Sequence, residues 1–177
     1  MNLVLTLKEH ISQRIFKQLF WFLIVCPKKS IIQQGLLNVI SNTDLMGRWQ
    51  SVNSSPKVIL DVAHNKEGLT MIRKQLNFME YGRLYLVMGF VQGRNVAELL
   101  SLFPNNTYYY LSSPNIDRAL KIIELKKQLK DSSLNIIYTE SILKAYENAL
   151  LRAKPQDLIL VLGSTFAVSE VLKQLKN

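Results

Sequence analysis

Asp61, His64 and Asn65 stand just beyond the apolar run 58–60, in the stretch VILDVAHNKEGL. A core strand gains nothing from an acid, an imidazole and a carboxamide at its end; a binding site does. An ionised Asp61 only accepts hydrogen bonds, so it suits a ribose or another vicinal pair of hydroxyls. Asn65 either contributes to a site or caps the helix that follows it. His64 either donates to a carboxylate or phosphate, or is a satisfied core histidine. Farther along, Ser164 and Thr165 follow Gly163. A hydroxyl there caps the last helix or, with the helix N-terminus, holds an anion. The other histidine, His10, is remote in the chain and Cys26 is the lone cysteine, so no His-rich or Cys-rich metal site is expected.

Such residues need a frame to hold them. From residue 48 onward, short apolar runs alternate with helical patterns. Strands are expected at 49–52, 58–60, 84–88, 107–111, 136–138 and 158–162, and helices at 65–76, 96–103, 116–129, 141–153 and 166–175. Runs that are apolar throughout, such as LYLVM and LILVL, fit strands buried on both faces of a parallel sheet. The alternation predicts an α/β fold of three layers, an open and mostly parallel sheet with helices on both faces. Ligands of such sheets bind beyond the carboxyl ends of the strands. Three loops leave those ends: DVAHNKEG (61–68), GFVQGRN (89–95) and GSTF (163–166).

The 177 residues, 48% hydrophobic and 20% charged, are enough for one domain with a sizeable core and an appendage. The net charge of +9 would suit an anionic partner, but Lys and Arg are scattered and form no basic track interleaved with aromatics, so nucleic acid is not an expected partner. The apolar run 19–26, LFWFLIVC, is far short of the roughly 20 residues that span a bilayer. No small-residue cleavage site follows it, and it reads as a buried helix of a partner domain that this chain only partly contains. No membrane association is expected, and the single cysteine agrees with a cytoplasmic location. The chain carries no G-x-x-x-x-G-K-[ST], no G-x-G-x-x-G after a strand and no G-x-S-x-G. On its residues alone, this is an α/β domain that contributes part of a site.

The elements GRWQSV…PKVILDVAHNKEGL, LYLVMGFV, SPNIDRAL and LILVLGSTFAVSEVL, in that order, resemble the C-terminal domain of folylpolyglutamate synthase/dihydrofolate synthase, a branch of the Mur ligase superfamily. The resemblance covers about residues 31–175. It implies a Rossmann-like domain at 48–177, a helix and linker at 31–47, and at 1–30 a remnant or divergent end of the family's central domain. It further implies ATP-dependent amide ligation, in which a carboxylate of dihydropteroate or folate is activated as an acyl phosphate and attacked by the amine of glutamate. ATP and magnesium serve the complete enzyme, with the Walker A loop and the magnesium ligands on the central ATPase domain. By position, Arg48, Asp61 and Asn65 would serve the nucleotide, while His64 and Ser164 would lie near the incoming glutamate. The chain departs from the family at 92–95, QGRN, where both acids of the usual loop are missing. A fragment, a degenerate product or one half of a split enzyme would each fit a chain without Walker A, and the isolated chain is expected to be inactive. The competing readings are a non-catalytic nucleotide-binding or protein-interaction module and a cell-wall Mur ligase C-terminal domain.

Overall fold

The computed structural model describes Ser30, Gln34, Asn38, Thr43 and residues 45–176. The chain divides into two units, Met1–Trp49 and Gln50–Asn177. The apolar run 19–26 lies outside the described residues, and so does most of the helix and linker expected at 31–47.

The second unit runs β1 (Gln50–Ser54), β2 (Lys57–Leu60), α1 (Lys66–Leu76), β3 (Leu84–Gly89), α2 (Val96–Leu100), β4 (Tyr108–Ser112), α3 (Ile122–Gln128), β5 (Asn135–Tyr138), α4 (Ile142–Arg152), β6 (Leu158–Leu162) and α5 (Thr165–Lys176). Its strands form one sheet in the order β1-β2-β6-β3-β4-β5. Only β1 is antiparallel, paired to β2 at the edge; the other neighbours are parallel. The expected α/β sheet with helices on both faces is what forms.

The period of two along each strand sorts its side chains between the faces. Val58, Leu60, Tyr85, Val87, Tyr110, Ile159 and Val161 pack with Ile142, Ala145 and Ala149 of α4 and Ala167, Val168 and Val171 of α5. The alternate positions, among them Ile59, Leu86, Met88, Tyr109 and Leu160, are equally buried. Both faces are therefore covered, which is why LYLVM and LILVL contain no polar residue. The crossovers β2→β3, β3→β4 and β4→β5 advance across the sheet, whereas β5→β6 returns to insert β6 between β2 and β3. Right-handed crossovers in opposite directions put their helices on opposite faces. The reversal makes the carboxyl ends of β2, β6 and β3 the switch point of the sheet.

Several boundaries differ from expectation, each for a local reason. Trp49 takes φ 48° and lies outside β1, which instead continues through Asn53 and Ser54 to a tight turn at Ser55-Pro56. The helix expected to reach Phe103 stops at Leu100 and closes in a tighter turn, Phe103 N–H donating to Leu100 O at 3.1 Å ahead of Pro104. The largest departure is at 116–121. A helix was expected there, but α3 starts only at Ile122, and the preceding backbone bridges outward: Ala119 pairs with Val91, and Leu120 N–H donates to Phe90 O at 2.9 Å.

At the switch point the backbones crowd. Gly163 has φ 98°, and a Cβ there would lie 2.8 Å from Gly89 O and 3.1 Å from Gly89 N. Gly93, in the loop after β3, also has positive φ (79°) but would meet nothing within 4 Å. Gly163→Ala should therefore cost ~2–4 kcal/mol from clash and strain together, and Gly93→Ala only ~1 kcal/mol from strain alone. Urea unfolding of the two variants checks the difference, and equal losses would contradict it.

Tyr109 is fully buried, and its hydroxyl donates to Leu100 O at 3.1 Å. Burial pushes its ionisation up to about 12. The stability held by this phenol is complete below its unfolded pKa of roughly 10 and is lost as pH rises through the folded value, a decline of about 2–3 kcal/mol. Burial also raises Tyr85 and Tyr146, so Tyr109→Phe should shrink the alkaline decline without abolishing it. Stability curves between pH 9 and about 12 test this window.

Candidate functional site

The loops leaving β2 and β6 run side by side. Asp61 N–H donates to Val161 O at 3.0 Å, carrying the pairing one residue past β2, and Gly163 N–H donates to Ala63 O at 2.9 Å. Asp61, His64, Asn65 and Ser164 are thereby placed on one edge of the sheet.

Each has a task within the fold. Asp61 is buried, and its Oδ1 accepts from Ala63 N–H at 2.8 Å, closing the turn that ends the strand. His64 Nδ1 lies 2.9 Å from Val62 O and donates to it. That bond fixes the ring so that Nε2 is the nitrogen left to address a ligand, as acceptor when neutral and donor when charged. Asn65 is the N-cap of α1, its Oδ1 accepting from Gly68 N–H at 2.9 Å. Its amide nitrogen remains the group it could offer to a ligand. Ser164, buried at the turn from β6, accepts from Ala167 N–H at 3.0 Å and caps the start of α5, while Thr165 beside it is exposed. A hydroxyl that accepts a cap bond still has its own proton to donate. Capping and ligand contact are thus compatible roles for Ser164. Arg48 is exposed and lies in the unit ending at Trp49, outside the unit that holds the sheet.

Sequence reasoning missed a fourth piece of this edge, the segment 114–120. Gln92 N–H donates to Arg118 O at 2.9 Å, tying the segment to the loop after β3. Asn115 N–H donates to Glu170 Oε1 at 2.8 Å, and the Arg118 guanidinium lies 5.0 Å from the centre of the Phe166 ring, tying it to α5. The turn formers Pro114, Asn115 and Asp117 were the available signal. The spacing of Ile116, Ala119 and Leu120 imitated a helix and hid it.

The opposite edge offers a hollow of about 450 Å³ lined by Lys57, Gly82, Gln156, Asp157 and others. Its buried acid, Asp157, already accepts from Arg83 N–H and Lys154 N–H, each at 2.8 Å. Among the described residues no group of three or more His, Cys, Asp or Glu could hold a metal ion, so magnesium has no ligand cluster there.

If Asn65 and Ser164 carry caps, truncating them costs stability. Asn65→Ala and Ser164→Ala should each lose ~1 kcal/mol, while Asn65→Asp, which keeps the acceptor, should lose little. Thermal unfolding decides it; an Asn65→Asp variant as unstable as Asn65→Ala would contradict the cap.

The family model for the Mur ligase, glutamate ligase domain matches residues 47–165. A dihydrofolate synthase/folylpolyglutamate synthase of Buchnera aphidicola subsp. Schizaphis graminum is 32% identical over 139 residues, 77% of this chain and 33% of that protein. Escherichia coli FolC in complex with DHPP and ADP superposes with a TM-score of 0.73 at 26% identity, over 84% of this chain and 34% of that one. A bifunctional folylpolyglutamate synthase/dihydrofolate synthase with Mn, AMPPNP and L-glutamate bound gives 0.67 at 26%, over 75% and 32%. The chain thus spans about a third of the length of these relatives. With the model covering most of the sheet unit and its site loops, the chain belongs to the Mur ligase, glutamate ligase domain family.

Proposed function

We propose that this chain acts as the C-terminal domain of an ATP-dependent folylpolyglutamate/dihydrofolate synthase, supplying nucleotide and glutamate contacts to amide-bond formation. The observation that carries the reading is the side-by-side course of the β2 and β6 loops at the switch point, with Asp61, His64 and Ser164 on it.

In the reaction, a pteroate or folate carboxylate takes the γ-phosphoryl group of ATP and ADP is released. The glutamate nitrogen then bonds to the acyl carbon, the carbon–oxygen bond to phosphate breaks, and the nitrogen sheds its proton. The chain's own share is binding and orientation. Asp61 accepts from the ribose hydroxyls, held in place by its bond to Ala63 N–H. His64, oriented through Val62 O, donates from Nε2 in its charged form to a carboxylate of glutamate, and Ser164 donates its hydroxyl proton to the same anion at the start of α5. The Arg48 guanidinium has the chemistry suited to nucleotide phosphates, and Asn65 adds its amide nitrogen on the nucleotide side. The chain has no Walker A sequence, so phosphoryl transfer and magnesium binding draw on a central ATPase domain, in the same gene product or on a separate chain. Use of ATP and folate goes with a cytoplasmic location, and among the described residues no helix is long and apolar enough to cross a membrane.

The purified chain should not add glutamate to dihydropteroate at the expense of ATP. Supplied with the central domain of a relative, it should. In that complex Asp61→Ala should mainly raise KM for ATP and His64→Ala mainly KM for glutamate, each by about 1–3 kcal/mol of lost binding. Ligation by the chain alone, or wild-type constants in both variants, would refute the reading.

A further inference from the structure

The loop after β3 borders the switch point, and it is held from an unexpected side. Its first half is tied to Arg118 O through Gln92 N–H. Its second half is tied by one side chain, Gln128, the last residue of α3: Oε1 accepts from Val96 N–H at 2.9 Å, and Nε2 donates to Arg94 O at 3.1 Å. Both ends of one carboxamide are therefore used on backbone groups, one at the end of the loop and one at the first residue of α2. Asn95, between them, caps α2 by accepting from Glu98 N–H at 3.2 Å. A groove of about 390 Å³, lined by Gln92, Gly93, Leu120 and Gln128 among others, lies alongside. The carboxamide thus spans an open gap between loop and helix, and is not packed within a wall of side chains.

We infer that Gln128 is a positioning residue for the candidate site: it fixes residues 94–96 in one shape at the edge where the ligand binds. Gly93 leaves this turn open on its outer side, since its φ is positive and nothing lies within 4 Å of where its Cβ would be, and the Gln128 bonds hold the backbone just beyond it. Because Gln128 borders a groove, removing its side chain opens no core cavity, and the effect stays with the loop. Glutamate at 128 keeps an acceptor for Val96 N–H but loses the donor to Arg94 O; alanine loses both. The inference rests on the nucleotide-and-glutamate reading of this edge, and its test separates the two.

The full chain is compared with Gln128→Ala and Gln128→Glu by amide hydrogen exchange and by ADP titration. Gln128→Ala should speed exchange at Val96 about tenfold, with β3, α3 and the melting temperature little changed, and should weaken ADP binding severalfold. Gln128→Glu should restore protection at Val96. Unchanged exchange at Val96 in Gln128→Ala overturns the inference. Faster exchange with unaltered ADP affinity overturns it too, because the tether would then shape the loop without serving the site. If the wild-type chain binds no ADP, the nucleotide reading fails instead, and exchange at Val96 alone decides whether Gln128 fixes the loop.

Discussion

The close approach of three backbones at the end of β6 is the constraint on which the rest depends. Gly163 N–H is bonded to Ala63 O on one side, and its α-carbon faces the Gly89 backbone on the other. Gly89 is itself confined, since a Cβ there would lie 2.6 Å from Ile142 Cδ1 and 2.8 Å from Pro114 Cγ. Glycine at 163, with its positive φ and backbone neighbours, lets β2, β6 and β3 end together with their loops in contact, whereas a side chain at 89 would displace Ile142 and Pro114 side-chain atoms. The insertion of β6 between β2 and β3 supplies the crowding, and the crowding supplies the site.

The residues on this edge serve the fold and the site with different atoms. Asp61, Asn65 and Ser164 each satisfy a backbone N–H that the end of a strand or the start of a helix would otherwise leave without a partner. Asn65 keeps an amide nitrogen and Ser164 a hydroxyl proton beyond these bonds. A ligand bound on this edge would therefore meet donors whose orientation was set by folding, so little entropy would be lost in orienting them. The same economy means that alanine variants here combine loss of stability with loss of binding. Variants that keep the structural atom, such as Asn65→Asp, separate the two effects.

Much of the frame was legible in the sequence because continuous apolar runs have few alternatives to a strand buried on both faces. LYLVM and LILVL became β3 and β6 with boundaries within a residue. The helix starts at Asn65 and Ser141 were legible for another reason, their side chains being able to accept from the first turn. The segment 116–121 was not legible as a turn and bridge, because its apolar spacing fits a helix and its partners, Phe90, Val91 and Gln92, lie in another loop. Of the site, DVAHN and GSTF were both legible as loops leaving the carboxyl ends of strands, but the hydrogen-bonded, side-by-side course they take was not: strand order is a long-range property, and the return of β6 leaves no local mark. Gln128 was invisible for the same reason, since its bonds reach back more than thirty residues.

The central claim is that the carboxyl edge at the switch point is where the ligand binds. The direct measurement is to map amide chemical shifts of the full chain by NMR during titration with ADP. The account predicts perturbations clustered at residues 61–65, 90–96 and 163–166, with the opposite edge silent. Shifts concentrated instead around Lys57, Gly82 and Gln156, the lining of the hollow at the amino ends of the strands, would contradict it.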